Sequence, residues 1–364
     1  MTKIKTIAFY LPQFHPIPEN DLWWGNGFTE WTNVAKAKPL FPGHYQPHVP
    51  ADLGFYDLRL PESRKAQAEL AEKYGIGGFC YWHYWFGNGK RILERPFNEV
   101  LESGEPNFPF CLAWANESWS GIWHGNPKTV LMEQVYPGVS DYISHFNYLL
   151  PAFKDDRYIK INGKPLFLVY QPLQIPDLKL FVKTFRELAD KNGLKGLHLV
   201  ATNVEVDWDC KENGFDALTP AVHTKDSYLK SANKVVDLYR RAKTSRLSKY
   251  YKKYFKRPTR IYNYKDAIQD FNEDAGENLY YPTVIPNWDN SPRSGVNGFV
   301  LHDSTPDLFK KALLNAKKRV ESYASENQII FIKSWNEWAE GNHLEPDLKF
   351  GHQYLQVVKD VLDD

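Results

Sequence analysis

Ile329-Ile-Phe-Ile-Lys-Ser-Trp-Asn-Glu-Trp-Ala-Glu340 begins with four apolar residues in a row and ends on a pair of glutamates. A strand with one wet face alternates apolar and polar side chains. A run without alternation needs cover on both faces, as in a parallel sheet packed between helices. Leu166-Phe-Leu-Val169 has the same character. Working outward, the apolar runs predict strands at 5–11, 77–84, 110–115, 166–170, 198–202, 217–218, 283–286 and 329–334. Helical patterns fall between them, at 61–74, 97–103, 140–153, 176–192, 227–253, 306–325 and 352–362. The first of these opens on Pro61 and closes on Gly75, the usual chemistry of a helix start and stop. Strands and helices in this alternation predict an α/β fold, a (β/α)8 TIM barrel, with 1–364 as one catalytic domain. A doubly wound sheet is the competing plan, but no Gly-rich dinucleotide loop follows the first strand.

Composition narrows the function. The chain has 364 residues, 45 Lys+Arg against 44 Asp+Glu, and 43% hydrophobic residues. That excludes a disordered chain and a surface built wholly for nucleic acid. Cys80, Cys111 and Cys210 are too few for a disulfide framework, and none belongs to a CxxC pair. The excess is aromatic: 12 Trp, 22 Tyr and 22 Phe. If the fold is a barrel, residues just after the strands share the active-site face. Many aromatics fall there, which suggests a rim that stacks flat ligands such as sugars. On this reading Trp31, Trp85, Trp119, Trp288 and Trp338 stack on sugar faces. Tyr10, His83, Asn116, Glu117, Tyr170, Asn203 and Asn287 hydrogen-bond sugar hydroxyls. Glu30 is a further carboxylate candidate, and Glu345, followed by Pro346, either lines a neighbouring subsite or caps a turn.

Glu337 and Glu340 stand three residues apart. On a helical turn both carboxylates face one side, about 5–6 Å apart at Cβ. Two such groups in unequal surroundings can divide acid and base roles. A lone ExxE more often marks a solvated helix start. Here Trp, Asn and His surround it at a barrel strand end, and Glu337 and Glu340 become the catalytic candidates. The 11 His are dispersed without paired-ligand spacing, so no metal is expected. No phosphate-binding fingerprint is present, and no cofactor is expected.

The segment Ser334-Trp-Asn-Glu-Trp-Ala-Glu-Gly-Asn-His-Leu-Glu-Pro346 resembles the catalytic strand of glycoside hydrolase family 99. It is closer still to the WbsX-type, family-99-like proteins associated with bacterial polysaccharide gene clusters. Tyr10-Leu-Pro-Gln-Phe-His-Pro16, Trp24-Gly-Asn-Gly-Phe-Thr-Glu-Trp-Thr-Asn33, Gly77-Gly-Phe-Cys-Tyr-Trp-His-Tyr-Trp-Phe86 and Trp114-Ala-Asn-Glu-Ser-Trp119 share that resemblance. It covers nearly the whole chain and is weakest at 227–280. The resemblance implies an endo-α-mannosidase-like, retaining glycoside hydrolase acting on a bacterial polysaccharide or glycan. Glu337 then acts as base on the substrate's own 2-hydroxyl, giving a 1,2-anhydro sugar. Glu340 protonates the leaving oxygen and later activates water. The 2-hydroxyl must lie trans to the leaving group, which suits α-mannosides and α-L-rhamnosides and excludes α-glucosides. The alternatives are a glycosyltransferase of polysaccharide biosynthesis and a non-catalytic carbohydrate-binding barrel.

Lys225–Arg260 holds thirteen Lys/Arg and two acids, with tyrosines interleaved. We read 225–265 as a basic helical insert after strand six. Such a patch suits an acidic polysaccharide or anionic lipid headgroups at a membrane surface. No nucleic acid is expected. The segment 17–50 reads as an ordered loop walling the cleft. No run approaches the ~18 apolar residues of a membrane span and no signal-peptide core follows Met1, so the default expectation is cytoplasmic.

Overall fold

Every predicted strand forms in the computed structural model, which describes residues 4–120, 130–220, 252–258, 260–271 and 276–363. They are β1 (Lys5–Tyr10), β2 (Phe79–His83), β3 (Phe110–Trp114), β4 (Lys164–Val169), β5 (His198–Ala201), β6 (Ala217–Leu218), β7 (Thr283–Val284) and β8 (Ile329–Ile332). All pair in parallel, in the spatial order β7-β8-β1-β2-β3-β4-β5-β6. Neighbours in sequence are neighbours in space, so the sheet curls one way. Its two edges meet where Leu218 N donates to Leu279 O and Tyr281 N donates to Leu218 O, both at 2.9 Å. The result is a (β/α)8 barrel.

Burial follows from that geometry. All residues of β2, β3 and β8 are buried, because helices cover one face and the barrel interior the other. Phe9, Trp82 and Phe331 meet inside, with Phe9 stacked 4.9 Å from Trp82 and 5.4 Å from Phe331. The alternate residues face the helices. Tyr10 packs 4.4 Å from Tyr81 and donates to Gln67 Oε1 at 2.7 Å, on the helix Pro61–Lys73. Cys80 and Cys111 lie opposite each other in the β2–β3 register; both are buried free thiols.

The helix Pro306–Val320 shows how local sequence and packing agree. Thr305 Oγ1 accepts from Leu308 N, Asp307 lies in the first turn, and Lys317, Lys318 and Arg319 occupy the last. Phe309, Ala312, Leu313, Ala316 and Val320 form the buried stripe. The large members contribute about 1.5–3 kcal/mol each.

Two expectations need revision. The segment 17–50 is not wholly loop: it contains the helices Pro18–Trp24 and Glu30–Lys36. Of the basic insert, 225–251 lies outside the described residues. Its end is not helical throughout, since Arg260–Asn263 is a strand. That strand pairs parallel with Phe299–His302, which pairs antiparallel with Trp288–Asp289, building a small sheet beside the barrel mouth. Strands of two to four residues with mixed polarity leave no clear pattern in a sequence.

Gly78 tests the packing at the foot of β2. A Cβ there would stand 2.7 Å from Ile159 Cδ1 and 2.8 Å from the Pro109 carbonyl oxygen. The backbone contact cannot rotate away. Gly78→Ala is expected to destabilise the barrel by about 1–3 kcal/mol, read from the midpoint of urea unfolding.

Candidate active site

Where β8 ends, the chain makes a tight hairpin. Asn336–Glu337 pairs antiparallel with Asn342–His343, and the 3-10 turn Trp338–Glu340 connects them. Ser334 Oγ accepts from Glu337 N at 2.8 Å and donates to Asn342 O at 2.7 Å, locking the base of the hairpin. Gly341 closes the turn at φ +66, where a Cβ would meet Asp289 N at 3.0 Å. Only glycine fits that conformation and that approach. In a 3-10 turn residues three apart eclipse each other. Glu337 and Glu340 therefore face the same way, while Trp338 points to the other side.

Both glutamates open into a cavity of about 370 Å³ at the C-terminal ends of the strands. Leu11, Tyr84, Ala115 and Tyr170 line it just past β1 to β4, with Trp24, Phe28 and Trp119 supplied by the segments that follow β1 and β3. Trp82 Nε1 donates to Glu337 Oε1 at 2.7 Å. Lys333 Nζ stands 3.7 Å from Glu337 Oε2, held 5.1 Å above the Trp82 ring and 5.3 Å above the Trp288 ring. Arg293 bridges two acids, with Nη1 2.5 Å from Glu340 Oε1 and Nη2 2.9 Å from Glu30 Oε2.

These surroundings separate the two carboxyls. Burial pushes both upward, since charge is costly away from water. For Glu337 the Lys333 and Arg293 charges outweigh burial, helped by hydrogen bonds from Glu340 and Trp82, and its pKa falls below the usual carboxylate value. For Glu340 burial dominates. Arg293 opposes it, the Glu337 charge adds to it, and the pKa is pushed up to about 7. Glu337 is the ionised partner and Glu340 the proton holder. Burial also raises Glu117, a third carboxyl on the cavity wall.

A further buried acid supports the turn from below. Glu345 Oε2 accepts from Trp338 Nε1 at 2.6 Å and Tyr56 Oη at 2.8 Å; its Oε1 accepts from Gln67 Nε2 at 2.7 Å. Asn336 ties the same region to β1: its Oδ1 accepts from Leu11 N at 2.7 Å and its Nδ2 donates to Leu11 O at 3.1 Å.

Of the residues singled out from the sequence, Glu30, Glu117, Trp119, Tyr170, Glu337 and Glu340 line the cavity. Asn203 sits behind Tyr170 and hydrogen-bonds it. The others are not brought to its wall. Tyr10 faces the helix layer. Trp31 packs on Phe14 and Trp338 and donates to Tyr56 O. His83 and Trp85 turn to the helix Val139–Lys154, meeting His145 Nε2 at 2.9 Å and Asp141 Oδ2 at 3.0 Å. Asn116 ties two loops, donating to Gln171 O and accepting from Gln171 N. Trp288 and Trp338 are core, and Asn287 borders a separate, smaller cavity. Sequence reasoning missed Trp82, Arg293 and Lys333 as site residues. For Trp82 a signal existed: on a strand, neighbours point oppositely, so choosing His83 and Trp85 excluded the inward pair Trp82 and Tyr84.

Glu345→Gln tests the support beneath the turn. All three partners of Glu345 are donors, so a Gln amide must turn its NH2 toward at least one of them. The variant is expected to lose about 1–3 kcal/mol of stability in urea unfolding. An unchanged midpoint would mean these bonds do not hold the turn.

The family model described as Glycosyltransferase WbsX matches residues 6–358. Two curated relatives, each called "Uncharacterized protein WxcX", come from two strains of Xanthomonas campestris pv. campestris. Both are 36% identical over 361 residues, covering 98% of this chain and 49% of their own length. The chain thus spans about half the length of these relatives. Among solved structures, a "Glycoside hydrolase-like protein" superposes with a TM-score of 0.59 at 14% identity, over 100% of this chain and 94% of that one. The GH99 endo-α-mannosidase from Bacteroides thetaiotaomicron, solved with bis-tris-propane, gives 0.59 at 16% identity, over 100% and 98%. At such identities the likeness concerns the fold, and it matches the barrel described above. No helix among the described residues is long and apolar enough to cross a membrane. By the match along almost its entire length, this chain belongs to the WbsX family.

Proposed function

We propose that the chain is a retaining, endo-acting glycoside hydrolase that cleaves α-mannoside or α-L-rhamnoside linkages of a bacterial polysaccharide or glycan. The observation that carries this reading is the Glu337–Glu340 pair, which shares one cavity with pKa values displaced in opposite directions. Glu337, held ionised by Lys333 and Arg293, takes the proton of the substrate 2-hydroxyl. The freed O2 attacks C1 from the side opposite the leaving group, and the C1–O bond breaks as Glu340 donates its proton to the departing oxygen. Glu340, now a carboxylate, removes a proton from water, which attacks C1 and opens the anhydro ring. O2 recovers its proton from Glu337. Two inversions give net retention, and each step is ordinary general acid–base chemistry. Trp24, Phe28 and Trp119 extend the apolar wall beyond the carboxylates, which favours a chain of sugars over a single terminal unit.

The family description favours a second reading, a glycosyltransferase acting from a nucleotide sugar. The charge of the cavity speaks against placing a diphosphate there. Its wall carries four carboxyls (Glu30, Glu117, Glu337, Glu340) against two cations (Arg293, Lys333), and both cations already contact glutamates.

Incubation with α-mannan and α-L-rhamnan oligosaccharides tests the proposal. The native protein is expected to release products of retained configuration by proton NMR. Glu337→Gln and Glu340→Gln are each expected to lower kcat by about 10²–10⁴ while keeping the native circular dichroism. Turnover that required a nucleotide sugar would overturn it. The pH profile is a separate check. kcat/KM should fall as pH rises through about 7, where Glu340 loses the proton it must donate. The acid limb should lie below the usual carboxylate range, where Glu337 becomes protonated.

A further inference from the structure

Behind the glutamate turn lies a second cavity, of about 60 Å³, whose wall includes Gly341, His48, His343 and Asp347. His48 comes from the loop after β1 and the other two from the segment after β8. They are 295 residues apart in the chain at the His48–His343 contact, so no spacing motif announces them. All three side chains are buried, and one donor atom from each lies within 4.8 Å of the others.

The hydrogen bonds fix what each group offers. His343 Nδ1 lies 2.9 Å from the Glu345 carbonyl oxygen and must carry the proton there. Its Nε2 lone pair then faces His48 Nδ1, at 2.8 Å. The His48 ring fills that lone pair with its own N–H. Its Nε2 is left as a buried acceptor with no hydrogen-bond partner among the described residues. Buried polar atoms of native proteins rarely stay unmatched. Asp347 is aimed in the same way: its Oδ1 accepts from Lys349 N at 3.0 Å and Phe350 N at 2.6 Å, and Tyr45 hydrogen-bonds it. Backbone and tyrosine partners that orient ligand-type side chains are the usual outer shell of a metal site.

We propose that His48, His343 and Asp347 bind a divalent zinc-class ion that staples the loop after β1 to the glutamate hairpin. Two imidazoles and one carboxylate form a donor set that suits Zn²⁺ and is poor for Mg²⁺, which prefers oxygen ligands. Both rings ligate once the His48 proton moves from Nδ1 to Nε2, which leaves Nδ1 and His343 Nε2, 2.8 Å apart, each with a lone pair toward the ion; at metal-to-donor bonds of about 2 Å the gathered atoms shift by roughly an ångström. The cavity is large enough for a water in the remaining position. The two segments already run side by side, with Leu348 N donating to Val49 O and Ala51 N donating to Pro346 O. His343 also stacks 3.7 Å from the Trp338 ring, so the ion would brace the turn that carries Glu337 and Glu340. This site is separate from the sugar cavity and does not depend on the glycosidase reading.

The test uses the full chain, dialysed against a chelator and titrated with Zn²⁺ in competition with a chromophoric zinc indicator. One ion per chain is expected, with a rise in apparent Tm and no competition from Mg²⁺. His48→Gln and Asp347→Asn should each weaken binding at least about tenfold; the Asn variant keeps an oxygen for the Lys349 and Phe350 amides. Crystals of the native chain grown with Zn²⁺ give an answer that needs no variant. Anomalous scattering should place the ion among the three side chains. Absence of a stoichiometric ion, uptake unchanged in both variants, or an ion found elsewhere would overturn the proposal.

Discussion

Two carboxylates sharing a water-poor cavity repel each other, and much of the site is arranged around that repulsion. Unit charges about 4 Å apart at an effective dielectric near 20 interact by roughly 4 kcal/mol, as much as a large share of a domain's stability. One proton retained between the two removes most of that cost. Lys333 and Arg293 decide which oxygen holds it. Lys333 reaches Glu337 from between two indole faces, and Arg293 divides itself between Glu340 and Glu30. The asymmetry follows from where three chain segments lie: the residue after β8 is Lys333, the stretch after β7 provides Arg293, and the first residue of the helix Glu30–Lys36 is Glu30.

The tryptophans take on a different meaning inside the fold. Read along the sequence, they look like stacking platforms on a rim. In three dimensions several are structural donors. Trp82 gives its N–H to Glu337, Trp338 to Glu345, Trp85 to Asp141 and Trp31 to the Tyr56 carbonyl. An indole offers one donor and no acceptor. It can hold a carboxylate in place without competing for the proton that carboxylate exchanges. Among the described residues, Trp24, Trp82 and Trp119 present a surface to the cavity.

The barrel was legible because parallel strands covered on both faces leave unbroken apolar runs, and Ile329-Ile-Phe-Ile332 is the clearest. The same property hid half the site. When both faces of β2 are aromatic, composition does not reveal which of Trp82, His83, Tyr84 and Trp85 look inward; only the strand parity does. Glu337 and Glu340 were legible since three residues of separation suffice, although the turn is 3-10 and not α. Arg293 and Glu30 were not paired in advance, because 263 residues separate them and nothing local marks either as the other's partner. Glu345, a candidate from its sequence neighbourhood, proved to be a support and not a wall of the cavity.

The bridging by Arg293 also governs how the cleft is felt from outside. Its guanidinium and the Lys333 ammonium cancel glutamate charges within a few ångströms, and Glu340 and Glu117 are drawn toward neutrality by burial. Opposite charges compensated at that range project little field beyond a Debye length of about 8 Å in physiological salt. Among the described residues, the charges that line the cleft act locally and reach little beyond it. A neutral ligand would therefore reach it by diffusion and shape alone, at a rate that ionic strength leaves nearly untouched.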